Sequence, residues 1–206
     1  MKKIYIYGAG GHAKVVAAAA ELCGYTVCGF FEDGNERVGG LFFEKPIVSL
    51  EDIPEKAFLF IAFGNNTIRL QKGVELGKRF CIPSIIHPSA QVSKYARIGK
   101  GVFIGALSNI DPDCRIEDFC IINNHASLSH DSIIGKGSHV SVGAALAGHT
   151  TVGQCCCIGI GSKVKDETTI GDYSTIGAGA VVIRDIPDNV TAVGCPARII
   201  NHNKNK

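Results

Sequence analysis

From Val92 to Val182 an aliphatic residue returns at every sixth position without gap or insertion: Val92, Ile98, Ile104, Ile110, Ile116, Ile122, Leu128, Ile134, Val140, Leu146, Val152, Ile158, Val164, Ile170, Ile176 and Val182. A half-buried strand repeats every ~2 residues and an amphipathic helix every ~3.6, so neither produces a strict six. The pattern predicts a solenoid of short strands and turns, in which no unit buries its apolar side alone. A second register stands two positions earlier and is small throughout, running from Ala90 and Ala96 through Ser108, Cys114, Cys120, Ala126, Ser132 and Ser138 to Ala180. Strand side chains alternate faces, so both registers point inward: the aliphatic fills the core and the small residue fits a tight corner.

This repeat resembles the hexapeptide repeat of the left-handed parallel β-helix, where three units make one triangular coil of eighteen residues. The left hand is implied by the resemblance alone, because crossovers otherwise prefer the right hand. With coils indexed as 92–109, 110–127, 128–145, 146–163 and 164–181, residues eighteen apart stack at ~4.8 Å. Gly148 then lies beside His130, His149 beside Asp131 and Gly143 beside His125.

Upstream the pattern changes. Ile4–Tyr7 reads as a strand, Gly8-Ala9-Gly10-Gly11 as a turn, His12 to Leu22 as an Ala- and Val-rich helix, and Thr26 to Phe31 as a second strand ending in Glu32-Asp33-Gly34. That is the order of a nucleotide-binding βαβ unit, whose helix-start N–H groups receive phosphate and whose acid receives a ribose or base. Ala13 stands where G-x-G-x-x-G would end in glycine, so the residues also fit a tight turn with no ligand. Phe58 to Phe63 reads as another strand, closed by Gly64-Asn65-Asn66 and followed by a helix with Arg69 near its start. Asn65, Asn66 and Arg69 are expected to contact a nucleotide or sugar; the alternative is helix capping by Asn66 with Arg69 in solvent. Together these patterns predict a small Rossmann-like α/β domain over residues 1–84 and a β-helix with a C-terminal cap over 85–206.

A formal net charge of +2 gives no electrostatic case for nucleic acid or an anionic membrane. No apolar run approaches membrane-spanning length, and Met1-Lys2-Lys3 leads into a strand rather than a signal peptide. Of nine cysteines, Cys114, Cys120 and Cys156 occupy the small inward register, and Cys155-Cys156-Cys157 lacks the paired spacing of a zinc site. Reduced thiols and a cytoplasmic setting are expected.

Histidines crowd into the coils at His125, His130, His139 and His149. His130, followed by Asp131 and flanked by Gly148, is the candidate general base: neutral imidazole takes a proton near pH 7, and a carboxylate fixes its tautomer. Adjacent residues on a strand face opposite ways, so this contact needs a corner. Stacking at eighteen brings no two histidines into register, so no metal site is expected.

The Gly-Ala-Gly-Gly-His turn (8–12), Glu32-Asp33, Gly-Asn-Asn (64–66), Asn123, Ser-His-Asp (129–131), Ser-His-Val-Ser-Val-Gly-Ala (138–144) and Gly-Cys-Pro-Ala-Arg (194–198) together resemble the sialic-acid O-acetyltransferase-like family of sugar acyltransferases. Within it they are most similar to the branch that N-acetylates UDP-linked 4-amino sugars in bacillosamine synthesis. The resemblance implies a homotrimer with acetyl-coenzyme A between neighbouring solenoids and a nucleotide sugar on the N-terminal domain. It implies His130 as base with Asp131 as partner; Gly10, His12, Glu32, Asp33 and Asn123 toward the sugar nucleotide; and His139, Ala144, Gly148, Ile160 and Ala178 toward the cofactor. Direct transfer to an amine is the leading expectation. The rivals are O-acetylation of a sugar hydroxyl, a nucleotide-linked dehydrogenase, and a ligand-binding solenoid without catalysis.

Overall fold

The structure is a computed structural model and describes residues 2–34 and 36–203. Strand β1 (Lys2–Tyr7) is followed by helix α1 (Gly11–Leu22), strand β2 (Tyr25–Phe31), a small hairpin of β3 (Leu41–Phe42) and β4 (Lys45–Pro46), strand β5 (Phe58–Ile61) and helix α2 (Asn66–Leu76). β1 lies between β2 and β5 in a three-stranded parallel sheet. In α1 the buried residues Ala13, Val16, Ala17 and Ala20 follow helical spacing and form one apolar face. That face shares a cluster with Ile4 and Ile6 of the sheet and with Ile85, Phe103 and Ile121 of the solenoid, so one core spans both parts of the chain.

The solenoid begins at Ile85–Ile86, from which two-residue strands recur every six residues. They form three walls, parallel sheets of six and five strands and an eight-stranded sheet whose last strand is antiparallel. Pairs such as Asn109↔Ser127, Ile133↔Thr151 and Ile121↔His139 are each eighteen apart. The expected aliphatic series is buried from Ile104 to Val182, with the apolar members of the small register in the same cluster and its serines and threonines buried beside it; Val92 and Ile98, in the first coil, are only partly covered. Buried hydroxyls and thiols of the small register bond to backbone carbonyls, as in Ser138 Oγ to Gly153 O (2.7 Å) and Cys120 Sγ to Gly135 O (3.1 Å). Polar atoms therefore enter this core already paired. The final strand, Arg198–His202, pairs antiparallel with Val190–Val193 at the open end of the stack.

From Gly101 to Gly179 a residue in the left-handed backbone region recurs at every sixth position, among them Phe119, His125, Asp131, Gly137, Gly143, His149 and Cys155 at successive corners. A non-glycine residue there costs roughly 1–2 kcal/mol, which the sheet register on either side imposes. Among the described residues no helix is long and apolar enough to cross a membrane.

Arg69 locks the N-terminal domain to the solenoid. It is 1% exposed. Its Nε donates to Phe119 O (2.8 Å), and its terminal nitrogens donate to Phe63 O (2.8 Å), Asn66 Oδ1 (2.8 Å) and Gly137 O (2.6 Å). Burial lowers its pKa to about 10, so it remains a cation at neutral pH. Asn66 adds a bond from Nδ2 to Cys156 O (2.7 Å). Helix α2 carries Gly73 against the Phe119 ring, where a Cβ would fall 2.7 Å from Cζ. These positions differ from both sequence readings of the segment. Asn65, not Asn66, caps α2, through Oδ1 to Ile68 N (3.0 Å), and Arg69 is neither solvated nor turned toward a ligand, because its donors are spent on carbonyls.

Arg69→Ala should leave Phe119 O, Gly137 O and Phe63 O without their donor. At ~1–3 kcal/mol per unsatisfied buried group, the loss is at least ~3 kcal/mol. Urea unfolding of the variant is expected to show a clearly lowered midpoint; a midpoint equal to wild type would contradict the clasp.

Candidate active site

His130 and Asp131 sit at the corner between strands Ser127–Leu128 and Ile133–Ile134. Asp131 is in the left-handed region (φ 59°), which bends its carboxylate back toward the preceding side chain. His130 Nδ1 lies 2.8 Å from Asp131 Oδ2. A carboxylate only accepts, so the neutral ring carries its proton on Nδ1 and presents Nε2 as the free base. Gly148 lies alongside. A Cβ there would come within 2.7 Å of His130 Cε1 and 2.8 Å of Nε2, so any larger residue would displace the imidazole. The Gly148 carbonyl accepts from Glu167 N–H, while its own N–H has no hydrogen-bond partner among the described residues.

His149 stacks beside Asp131 as the eighteen-residue register predicts, and it also meets His130, which that register does not predict. His149 Nε2 lies 3.8 Å from the same Asp131 oxygen, and the His130 and His149 rings meet edge to face with centroids 5.2 Å apart. The expectation that no two histidines meet compared positions eighteen apart. A corner also brings together residues nineteen apart, which is how 130 and 149 become neighbours.

A second cluster lies where α1 meets the eight-stranded wall. His12 stands edge to face on Phe103 (centroids 5.3 Å), and its Nε2 is a buried polar atom without a partner. Asn123 Nδ2 approaches His139 Nε2 at 3.2 Å, which leaves that nitrogen as the acceptor. Burial, then the Arg69 cation and His139, hold His12 down at about 3; burial and then Arg69 hold His139 down at about 4. Both rings are neutral at pH 7 and can accept or donate one hydrogen bond each. Asn123 and His130 flank strand Ser127–Leu128 from opposite ends. The seven residues from one to the other span at most ~25 Å.

The remaining residues distribute as follows. Gly10 is exposed and caps α1 without a side-chain bond, no acid stands in the first turn, and a Cβ on Gly10 would meet nothing. That helix start is open to an anion. Asp33 accepts from the buried Tyr7 hydroxyl, a supporting contact 26 residues away that no local pattern announces, and Glu32 pairs with Arg37 on the surface (3.1 Å). Asn65 borders a cleft of about 600 Å³ whose other walls include Thr67, Cys157, Tyr173, Thr175 and Asn189. Ile160 and Ala178 are exposed on one corner and stack eighteen apart, with Gly143, Gly161 and Gly179 beside them opening onto unfilled space. An apolar, side-chain-poor edge of this kind fits the slender arm of a pantetheine. Ala144 does not take part: its methyl is in the core, its N–H donates to Ser141 O, and its carbonyl accepts from Ser127 N–H. All nine cysteines are free; burial raises Cys120 and Cys156 to about 12, leaving them inert as nucleophiles.

Residues 3–74 match the PglD N-terminal domain, residues 80–159 the GMPPB C-terminal domain, and residues 149–184 the bacterial transferase hexapeptide (six repeats). The chain is 41% identical to UDP-N-acetylbacillosamine N-acetyltransferase of Bacillus subtilis (strain 168), over 98% of this chain and 96% of that protein. A partial match, 39% identical over 61 residues, spans 22% of the acyl-[acyl-carrier-protein]–UDP-N-acetylglucosamine O-acyltransferase of Bartonella quintana (strain Toulouse). Among solved structures, PerB from Caulobacter crescentus in complex with CoA and GDP-perosamine is similar with a TM-score of 0.90 and 35% identity over 98% of each chain. The acetyltransferase domain of PglB from Neisseria gonorrhoeae FA1090 in complex with acetyl coenzyme A gives 0.87 and 35%, over 97% of this chain and 99% of that one.

The two depressed imidazoles set a pH dependence. Unfolded, each takes up a proton near pH 6.5; folded, His139 does so only near 4 and His12 near 3. Between those values the unfolded state binds more protons, so stability falls as pH falls from about 6.5 toward 4. Thermal melts should show that decline, and His139→Asn should flatten part of it. An equally steep decline in the variant would contradict the burial of a neutral His139.

Proposed function

The chain belongs to the family of PglD-like hexapeptide-repeat sugar N-acetyltransferases, and on that premise we propose that it moves the acetyl group of acetyl-coenzyme A onto the 4-amino group of a UDP-linked amino-deoxy sugar. The observation that carries this is the His130–Asp131 dyad: an oriented imidazole with Nε2 free, seated against a glycine whose missing side chain makes room for the ring. UDP is inferred from the Bacillus subtilis relative, 41% identical over nearly the whole length. The Caulobacter crescentus neighbour is described with GDP-perosamine, so a GDP-linked sugar is the alternative to test.

The reaction needs no covalent enzyme intermediate. The amine nitrogen attacks the thioester carbonyl carbon, and His130 Nε2 takes the ammonium proton as the C–N bond forms. Asp131 stabilises the imidazolium across its 2.8 Å contact. The Gly148 N–H is the group we assign to the developing oxyanion. Collapse of the adduct breaks the C–S bond, and the proton on His130 passes to the departing thiolate. His12, with its unpaired Nε2, and Asn123 would hold the acceptor sugar, while the open start of α1 at Gly10 receives the pyrophosphate. Glu32 and Asp33 lie at the end of β2, where a nucleoside is expected.

The base lies on one corner and the acceptor cluster on another, so we place the complete site between subunits of a homotrimer. His130 of one subunit would face His12 and Asn123 of its neighbour, with acetyl-coenzyme A along the Ile160–Ala178 corner. Free thiols and these two substrates fit a cytoplasmic enzyme.

Thiol release from acetyl-coenzyme A should be fastest with a UDP-linked 4-amino sugar, slower with a GDP-linked one, and at background with free sialic acid. Turnover on the hydroxyl acceptor equal to that on the amine would replace N- by O-acetylation. His130→Ala should lower kcat by about 10²–10⁴-fold, the usual worth of a general base; near-wild-type turnover at saturating substrates would remove it from the mechanism. Gly148→Ala should cost at least ~10-fold in kcat through displacement of the imidazole, with the unfolding midpoint little changed. Full activity there would contradict the close approach of Gly148.

A further inference from the structure

The catalytic corner carries more ligating atoms than acetyl transfer uses. His130 Nδ1 lies 2.8 Å and His149 Nε2 3.8 Å from the same oxygen, Asp131 Oδ2, and the three residues bring one ligand atom each within 4.8 Å of the others. Zinc holds nitrogen and oxygen ligands at ~2.0–2.2 Å in a tetrahedron, which separates neighbouring ligand atoms by ~3.3 Å. The observed spacings bracket that value. Two of the three residues, Asp131 and His149, are fixed by left-handed corner backbone, and His149 N–H donates to His130 O (3.0 Å), so the cluster is held by the solenoid rather than by flexible side chains alone. All three are exposed, so water can reach the corner to complete the coordination.

We propose that His130, Asp131 and His149 form an inhibitory site for a divalent transition metal, zinc above all. The inhibition follows from tautomers. In the active form Nδ1 holds the proton and Nε2 is the base. A metal on Nδ1 requires that nitrogen's lone pair, so the ring proton moves to Nε2 and the base atom is capped without being touched. Asp131, drawn onto the metal, no longer supports an imidazolium. The effect is on turnover and not on the binding of either substrate. The inhibition rests on His130 being the base; the metal site itself does not.

The test uses the full-length protein and metal ions alone. Co²⁺ added to wild type should produce the visible absorption of a tetrahedral nitrogen- and oxygen-ligated site, at one ion per protomer, displaced by Zn²⁺. His149→Asn should weaken Zn²⁺ binding by more than tenfold, since loss of a ligand costs more than the ~10–100-fold typical of its supporting partners. Unchanged Zn²⁺ affinity in His149→Asn, or near-ultraviolet sulfur-to-cobalt bands that place the ion on Cys81 or Cys195, would overturn the site. In turnover assays Zn²⁺ should lower kcat with KM unchanged, and chelator should restore it. Tight binding at this cluster with full turnover would overturn the inhibitory step and His130 as base, while leaving the metal site standing.

Discussion

The parallel register of the solenoid, eighteen residues per coil, is the constraint on which the rest depends. Two inward residues per wall, one aliphatic and one small, leave no slack for an insertion, and none occurs between Val92 and Val182. The corners from Gly101 to Gly179 are therefore held to the same left-handed conformation, and the cost where the residue is not glycine is spread over a continuous core and ladder. Chemistry borrows that rigidity. Asp131 meets His130 because the register forces a left-handed turn at that position, and Gly148 lies against the imidazole because it is one coil further on.

The second determinant is the junction between the two parts of the chain. A shared apolar cluster brings α1 onto Phe103 and Ile121, and Arg69 ties the loop after β5 to two corners stacked one coil apart. Burial keeps His12 and His139 neutral, and the same buried cation acts in the same direction. An arginine whose donors are spent on carbonyls thus positions the loop carrying Asn65 and adds to the effect of burial on the acceptor cluster. Stability and site electrostatics are coupled here through a single residue.

Periodicity reports what repeats, and the sequence was legible in proportion. The inward registers, the stacking of Gly148 on His130 and the chain order of the α/β unit all follow from positions counted along the chain. Arg69 did not: a charged residue after Gly-Asn-Asn in a helix start looks like a ligand contact until the carbonyls of Phe119 and Gly137, far away in sequence, are seen to take its donors. Ala144 was misplaced because a family's cofactor contact does not reveal that both its backbone groups are already paired. The meeting of His149 with His130 was missed for a geometric reason, the diagonal neighbour at a corner being one residue off the stacking rule.

The central claim is that neither corner suffices alone. Co-expression of His130→Ala and His12→Ala chains tests it, because a mixed trimer regains an intact site wherever the second variant's His130 faces the first variant's His12. Random mixing makes that about one site in four, so the mixed preparation should recover about a quarter of wild-type turnover from two inactive parents. A mixture no more active than either parent would contradict a site shared between subunits.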